Sequence, residues 1–350
     1  RAGAPAALPV LRARDPVFWL GLSFLLLLAA QWWNAGRMLY FDTAAREWAY
    51  SAPRVAWLPS AITPGEARQM LDWFVPAWII LVVLRSPAVS GRAIRMLWRL
   101  MAYQAALLAL FGIVQYATGT TRMYGFVPMR PHFFASFGYP NHAGSYFLMT
   151  MCLAAGLLSH GLAPEGGSQR WPRSAALGIA FLLSLVGANL SLSRLAIIMS
   201  WVLALSLCAY LVRFFWPRLS ASARVNAISA ALAVLCLAAV LTVGLGREGI
   251  RREFKPEAGR QTLVQRETSF RWFQVQSAVR MWRDHPWFGV GGWGYRYLLA
   301  HYLPPEQWRR ITEGKANVHN DPAQFLVEFG AIGGGAMAAV VVLLAWSAHR

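Results

Sequence analysis

The sequence predicts an all-α, polytopic transmembrane helix bundle of about eight spans, with one large loop outside the membrane that contains short helices. Three observations carry this. Of 350 residues, 57% are hydrophobic and only 14% are charged, whereas a soluble domain is about 45–50% apolar and about a quarter charged. The apolar residues are clustered into runs close to the roughly 20 residues that cross a bilayer. Several runs carry Trp or Tyr at their ends, where interfacial anchors belong.

The first run, 17–30, resembles a signal-peptide core, but no small-x-small cleavage site follows it, so it is read as a retained helix. Arg12 and Arg14 precede it and place the N-terminus in the cytoplasm. The loop 31–68 is of mixed charge and rich in Trp, and the second run is 73–84. Arg85, Arg92, Arg95 and Arg99 then fall inside, before the third run, 101–117. A loop at 118–142 lies outside and leads to the run 145–158; Arg170 and Arg173 return to the inside. The runs 175–190 and 195–212 are joined by a tight outer link, 191–193. Arg213, Arg218 and Arg224 fall inside before 227–246. The segment 247–318 is long enough to cross regardless of its charge, and the last run is 329–348. The organisation is therefore 1–246 with seven spans, 247–318 as one large outer loop, and 319–350 as the final span. The chain opens on Arg1 and stops at Arg350 directly after a helix, so a longer native chain is expected.

The net charge of +18 is spread over loops between spans, a pattern that fits anionic headgroups or an anionic substrate and not nucleic acid. Cys152, Cys208 and Cys236 all lie within apolar runs, which leaves no disulfide framework and no metal-ligand spacing and points to packing roles. No metal and no cofactor are expected.

Three places break the pattern. Arg194, in ANLSLSRLAII, stands on the outer side against the positive-inside bias. It also opposes the helix dipole, at about 0.3–1 kcal/mol. With Ser191 or Ser193 capping the helix start, free amides beside a guanidinium suit an anion, above all a phosphate. An interfacial arginine reaching to headgroups fits the same position. In TSFRWFQVQSAVRMWRDHP (268–286) a helix is expected from near Thr268 to before Pro286, of a kind that can lie in the membrane surface. Arg271 can point at a phosphate from it, or at solvent and headgroups. The following GVGGWG (289–294) has no strand before it, so a flexible or close-packed turn is preferred to a dinucleotide loop.

VHNDPAQFLVEFGAIGG (318–334) is the strongest candidate. Asp321 can cap the helix, Pro322 suits its first position and Gln324 completes a variant capping box. His319 then sits outside a helix N-terminus, which keeps a histidine neutral as a general base requires, and the same amides can support an anionic leaving group. A structural histidine is the plainer alternative. Glu328, deeper on the helix, should pair with a polar neighbour.

Together SLSRLAI, the Arg271-Trp272 pair, DHPWFGVG and above all HNDPAQFLVEFGAIGG resemble the bacterial O-antigen ligase and polymerase superfamily. GYPNHAGSYF (138–147), with Asn141 and His142, is similar to a short motif of that family before a central span. The resemblance covers roughly 130–345, and only its last motif is specific. It implies a multi-pass glycosyltransferase of the bacterial inner membrane, acting on the periplasmic face. The donor it implies is a glycan on undecaprenyl pyrophosphate, and the acceptor lipid A-core or another glycan or protein. Arg194 and Arg271 map to phosphate-gripping arginines and His319 to the base, with Asn141, His142, Asn320 and Glu328 as secondary candidates. Inversion at the anomeric carbon without metal or nucleotide follows from that mechanism. Members commonly have more spans than the eight counted here, and Asp321-Pro322 stands where bulkier residues often follow the His-Asn pair.

A ligase moves a finished polymer to its acceptor; a polymerase joins two lipid-linked repeat units by the same reaction. The PNHAGSYF segment keeps the polymerase close behind the ligase. A transporter of lipid-linked sugar would call for charged residues in mid-span and an inverted repeat; the sequence has few of the first and no sign of the second.

Overall fold

The structure is a computed structural model that describes residues 15–36, 39–44, 46–128, 133–161, 171–218, 220–254, 258–303 and 317–349. In chain order the helices are α1 (Pro16–Trp33), α2 (Pro64–Arg85), α3 (Gly91–Ala117), α4 (Pro140–Gly161) and α5 (Trp171–Leu190). Then come α6 (Arg194–Phe215), α7 (Ala221–Phe254), α8 (Ala258–Asp284), the short α9 (Gly294–Leu298) and α10 (Asp321–His349). Two small antiparallel hairpins, Leu39–Asp42 with Glu47–Tyr50 and Arg122–Met123 with Val127–Pro128, lie in loops where no strand is expected.

The fold is an all-α polytopic bundle. Among the described residues, seven helices are long and apolar enough to cross a membrane, and each coincides with a predicted run. The remaining run is α5, whose apolar part, Ser174–Leu190, is shorter. Helix surfaces carry apolar side chains outward, as lipid contact requires: Ile79, Ile80 and Val83 on α2, and Leu237, Val240 and Val243 on α7. Cys152 and Cys236 share such exposed faces instead of packing in a core, and all three cysteines are free.

The region 247–318 is more helical than expected. α7 continues to Phe254, and α8 begins at Ala258, not near Thr268. The stretch before Thr268 is rich in Arg, Gln, Leu and Glu, which favour helix, and holds no proline to stop one. Thr268 therefore lies inside the helix and not at its start.

The chain divides into two compact units, one of residues 1–89 with 257–350 and one of residues 90–256. In the first, α1 packs on α2 and α10, and α10 packs on α8. Phe24, Phe74 and Phe329 meet edge to face with ring centroids 5.1 Å apart for Phe24 with each of the others. Asp15 caps α1 through the Val17 N–H and pairs with Arg85 at the end of α2 at 2.9 Å.

α10 is broken at Gly330, where φ is 66° and ψ −170°. A break in a spanning helix frees amides and carbonyls that lipid cannot satisfy. The glycine-rich segment after α8 satisfies them here. Val290 and Gly291 donate to the carbonyls of Val327 and Glu328, and Ala331 and Ile332 donate to those of Pro286 and Trp287, at 2.8–3.1 Å. Gln31 of α1 adds its amide to the Phe288 carbonyl at 2.8 Å. GVGGWG is thus a close-packed turn docked on the break. A Cβ on Gly330 would stand 2.2 Å from the Trp287 carbonyl oxygen, and one on Gly289 2.4 Å from Glu328 backbone.

In the second unit, α5 packs on α3, α4, α6 and α7. Small residues let the helices approach closely, as membrane packing favours: Ala102, Ala105, Ala109, Ala143 and Ala154 are all buried. The link between α5 and α6 is as tight as predicted, with Leu192 at φ 61°. Asn189 receives the Trp201 indole N–H at 2.9 Å and holds the two helices together across it.

Candidate functional site

At the entry to α10, Asn320 is the N-cap, not Asp321: its Oδ1 accepts from the Ala323 N–H at 3.0 Å. The helix therefore starts at Asp321, one residue earlier than a cap at Asp321 would place it, and Pro322 falls at its second position. Both Asn and Asp cap well, so composition alone does not separate them. Gln324 reaches back past the cap, and not to the cap residue's own N–H as a capping box would: its side-chain oxygen accepts from the Val318 N–H at 3.3 Å. His319, between these two contacts, is exposed and held at φ 54°, in the left-handed region. Val318 before it is fully buried, in a cluster with Ala278, Met281, Tyr295 and Val327.

Glu328, one turn below Gln324, is buried. Its Oε1 accepts from the Gln324 amide at 3.1 Å, and the Trp293 backbone N–H also bonds to the carboxylate.

Arg271 lies on α8. The buried residues Gln274, Ser277, Ala278 and Met281 form the stripe by which α8 joins the cluster holding Val318 and Val327. Positions 271, 274 and 278 are spaced i, i+3, i+7, so Arg271 stands on that stripe, one turn beyond its buried part, with an exposed side chain. The backbone at Gln274 is held by the Tyr295 hydroxyl, which donates to the Gln274 main-chain carbonyl at 3.1 Å; burial raises the Tyr295 phenol above its ordinary value.

The second unit holds Arg194, Asn141 and His142. Arg194 is the first residue of α6 and is exposed. Ser193 occupies the N-cap without a side-chain hydrogen bond, and Ser191 accepts from the Ser193 N–H at 3.3 Å instead. The first turn of α4 is pressed against this corner. A Cβ at Gly144 would lie 2.5 Å from Ala196 and 2.8 Å from Ser193, so glycine there allows the contact. Asn141 and His142 are thereby brought to the end of the unit that carries Arg194. Asn141 donates to the Tyr139 hydroxyl at 3.3 Å and His142 stacks edge-on against the Tyr139 ring.

Sequence reasoning missed a polar cluster beneath the start of α10. Glu66 of α2 accepts from the Tyr297 hydroxyl at 2.8 Å and pairs with Arg296 at 3.5 Å. The Arg296 guanidinium lies over the Trp293 ring at 4.0 Å, and its charge acts on Glu328 as well. Among the described residues Glu66 Oε2, Arg296 Nε and Trp293 Nε1 are buried with no hydrogen-bond partner. The cluster has spare donors and acceptors. No local motif marks it, because Glu66 and Arg296 are 230 residues apart.

A shallow basic hollow of about 510 Å³ is lined by Arg280, Arg283, Asp284, His301 and Tyr302. Burial, then the hydrogen bond to Asp284 and its charge, push the Tyr302 phenol up to about 12. Among the described residues no group of three or more His, Cys, Asp or Glu side chains is placed to hold a metal ion.

Residues 179–346 match the family model described as O-antigen ligase. No curated protein and no solved structure matches the chain. The matched segment includes Arg194, Arg271 and the whole motif from His319 to Gly334, while Asn141 and His142 precede it. Residues 179–346 of this multi-pass membrane protein belong to the O-antigen ligase family, within the O-antigen ligase and polymerase superfamily.

Proposed function

We propose that the chain is a membrane glycosyltransferase that moves a glycan from a polyprenyl pyrophosphate, undecaprenyl in a bacterium, to an acceptor hydroxyl. The observation that carries this is the match to the O-antigen ligase family over a segment that contains the capped entry of α10 with His319 at its mouth. His319 takes the proton from the acceptor hydroxyl as that oxygen attacks the anomeric carbon. The bond from that carbon to the pyrophosphate oxygen breaks on the opposite side, and the configuration inverts. Arg194 and Arg271 neutralise the charge that develops on the departing pyrophosphate, a task for which the planar fork of guanidinium is better shaped than ammonium. On this proposal no metal is required, because the leaving group is already a good one once its charge is met.

The charge pattern of the loops supports an orientation with the N-terminus cytoplasmic and His319 periplasmic. Single cysteines at Tyr124 and Gly259, in a cysteine-free background, should then react with an impermeant thiol reagent from outside, and one at Ser222 should not. The reverse pattern would put the proposed chemistry on the wrong face.

The direct test is purified protein in detergent supplied with a lipid-pyrophosphate glycan. Release of the carrier pyrophosphate with transfer to added lipid A-core supports a ligase; transfer only to a second lipid-linked unit supports a polymerase. Intact donor after prolonged incubation with either acceptor would overturn both.

A further inference from the structure

Arg92, Arg95 and Arg99 follow the i, i+3, i+7 spacing that sets side chains on one face of a helix, here the first turns of α3. With His160 at the end of α4 and the start of α5, they line a cavity of about 560 Å³. Its inner wall is apolar, formed by the buried Leu157 and Leu177. No acidic side chain among the described residues lines it.

That arrangement is electrostatically incomplete. Three arginines line one cavity with no carboxylate among the described residues beside them, and Arg92 and Arg95 also oppose the dipole at the start of α3. An anion relieves both. Guanidinium forks match phosphate geometry, and a basic pocket between membrane helices is where lipid headgroups are held. The apolar wall favours an occupant with a hydrocarbon part over a free ion, since Leu157 and Leu177 offer an inorganic phosphate nothing. The cavity lies at the opposite end of α4 from Gly144 and the Arg194 corner, so it is separate from that corner. We infer that this pocket binds the phosphate of an anionic phospholipid, with the glycerol and first acyl carbons against Leu157 and Leu177.

The full 350-residue chain in detergent is titrated with short-chain phosphatidylglycerol while thermal unfolding is followed, since a ligand of the native state raises the melting temperature. Phosphatidylglycerol should raise it saturably, and the short-chain phosphatidylcholine should not. The double variant Arg95→Gln/Arg99→Gln should need about tenfold more phosphatidylglycerol for the same rise. Arg213→Gln, which removes a charge from the last turn of α6 outside this pocket, should match wild type. Ser174→Trp keeps all three arginines but narrows the pocket, and it too should shift the titration, which guards against a double variant that fails to fold. An equal response to phosphatidylcholine, or an unshifted Ser174→Trp, overturns the site. Saturation by inorganic phosphate alone, at the concentrations that phosphatidylglycerol requires, reassigns it to a free anion and overturns the lipid.

Discussion

Gln324 bonds backwards to Val318 and forwards to Glu328: its side-chain oxygen accepts from the Val318 N–H at 3.3 Å, and its amide donates to Glu328 Oε1 at 3.1 Å. One side chain therefore connects a buried carboxylate to the residue before His319. The connection has a local purpose. His319 is a non-glycine residue at φ 54°, a conformation that costs of order 1–3 kcal/mol and persists only where its surroundings fix it. Gln324 below and the Asn320 cap above supply that fixing.

Gln324→Leu keeps similar bulk and removes both bonds, each worth about 1 kcal/mol. The expected outcome is a fall of about tenfold in kcat for glycan transfer, with KM for the donor close to wild type, because His319 is misplaced while donor contacts survive. Gln324→Glu still accepts from Val318 but sets a second carboxylate beside Glu328, and should fall between the two. Steady-state kinetics with purified variants decides it; wild-type kcat in the leucine variant would remove the positioning role.

Gly330 is the hinge on which the docked turn depends. Alanine there would require a left-handed backbone and a Cβ 2.2 Å from the Trp287 carbonyl oxygen, so Gly330→Ala should destabilise by about 2–4 kcal/mol. Gly335→Ala is the control, since nothing lies within 4 Å of its Cβ and its φ is ordinary. That variant should be neutral or slightly stabilising. Thermal unfolding in one detergent compares them, and equal melting temperatures would show that the break can rearrange.

The contrast between these residues explains what was legible in the sequence. A span announces itself locally, through an uninterrupted apolar run, and all eight runs became helices. The N-cap was legible to within one residue, because Asn320 and Asp321 are both competent caps and only the backbone geometry chooses. The break at Gly330 was not legible. EFGAIGG reads as continuous helix unless the carbonyls of Pro286 and Trp287, some forty residues earlier, are known to stand beside it. Glu66 with Arg296 was hidden for the same reason, as a pairing between distant segments with no period or motif. Arg271 lies on an ordinary surface helix and is singled out by the family resemblance, whereas Arg194 stands out because it is a cation in a place that local rules disfavour. That marks a position as unusual without fixing its partner.

For Arg194 and Arg271 the informative change is to lysine, which keeps the charge and loses the fork. Both variants should insert normally and transfer glycan at least about tenfold more slowly, as expected when a bidentate phosphate contact becomes a single one. Arg280→Lys, on the exposed face of α8, should stay within about twofold of wild type. Rates measured on detergent-purified protein at equal folded concentration make the comparison. Near-normal turnover in either proposed variant would reduce that arginine to a headgroup anchor.

His319→Ala carries the proposal furthest. Removing a positioned base lowers the rate about 10²–10⁴-fold, and donor binding should survive because the phosphates are assigned to arginine. His319→Gln preserves size and a hydrogen bond but cannot take the acceptor's proton, so it should be nearly as inactive as alanine. A residue needed only for the left-handed turn behaves differently. Asparagine tolerates that conformation better than most residues, so His319→Asn would then restore transfer, and glutamine would not distinguish the roles. The sign of the pH dependence separates them again. A base must be neutral to act, so wild-type transfer should fall as pH drops through the histidine's titration, whereas a purely structural residue leaves the residual rate of its variants with the same pH profile as wild type. An active His319→Asn enzyme with an unchanged profile would keep the family assignment and discard the base.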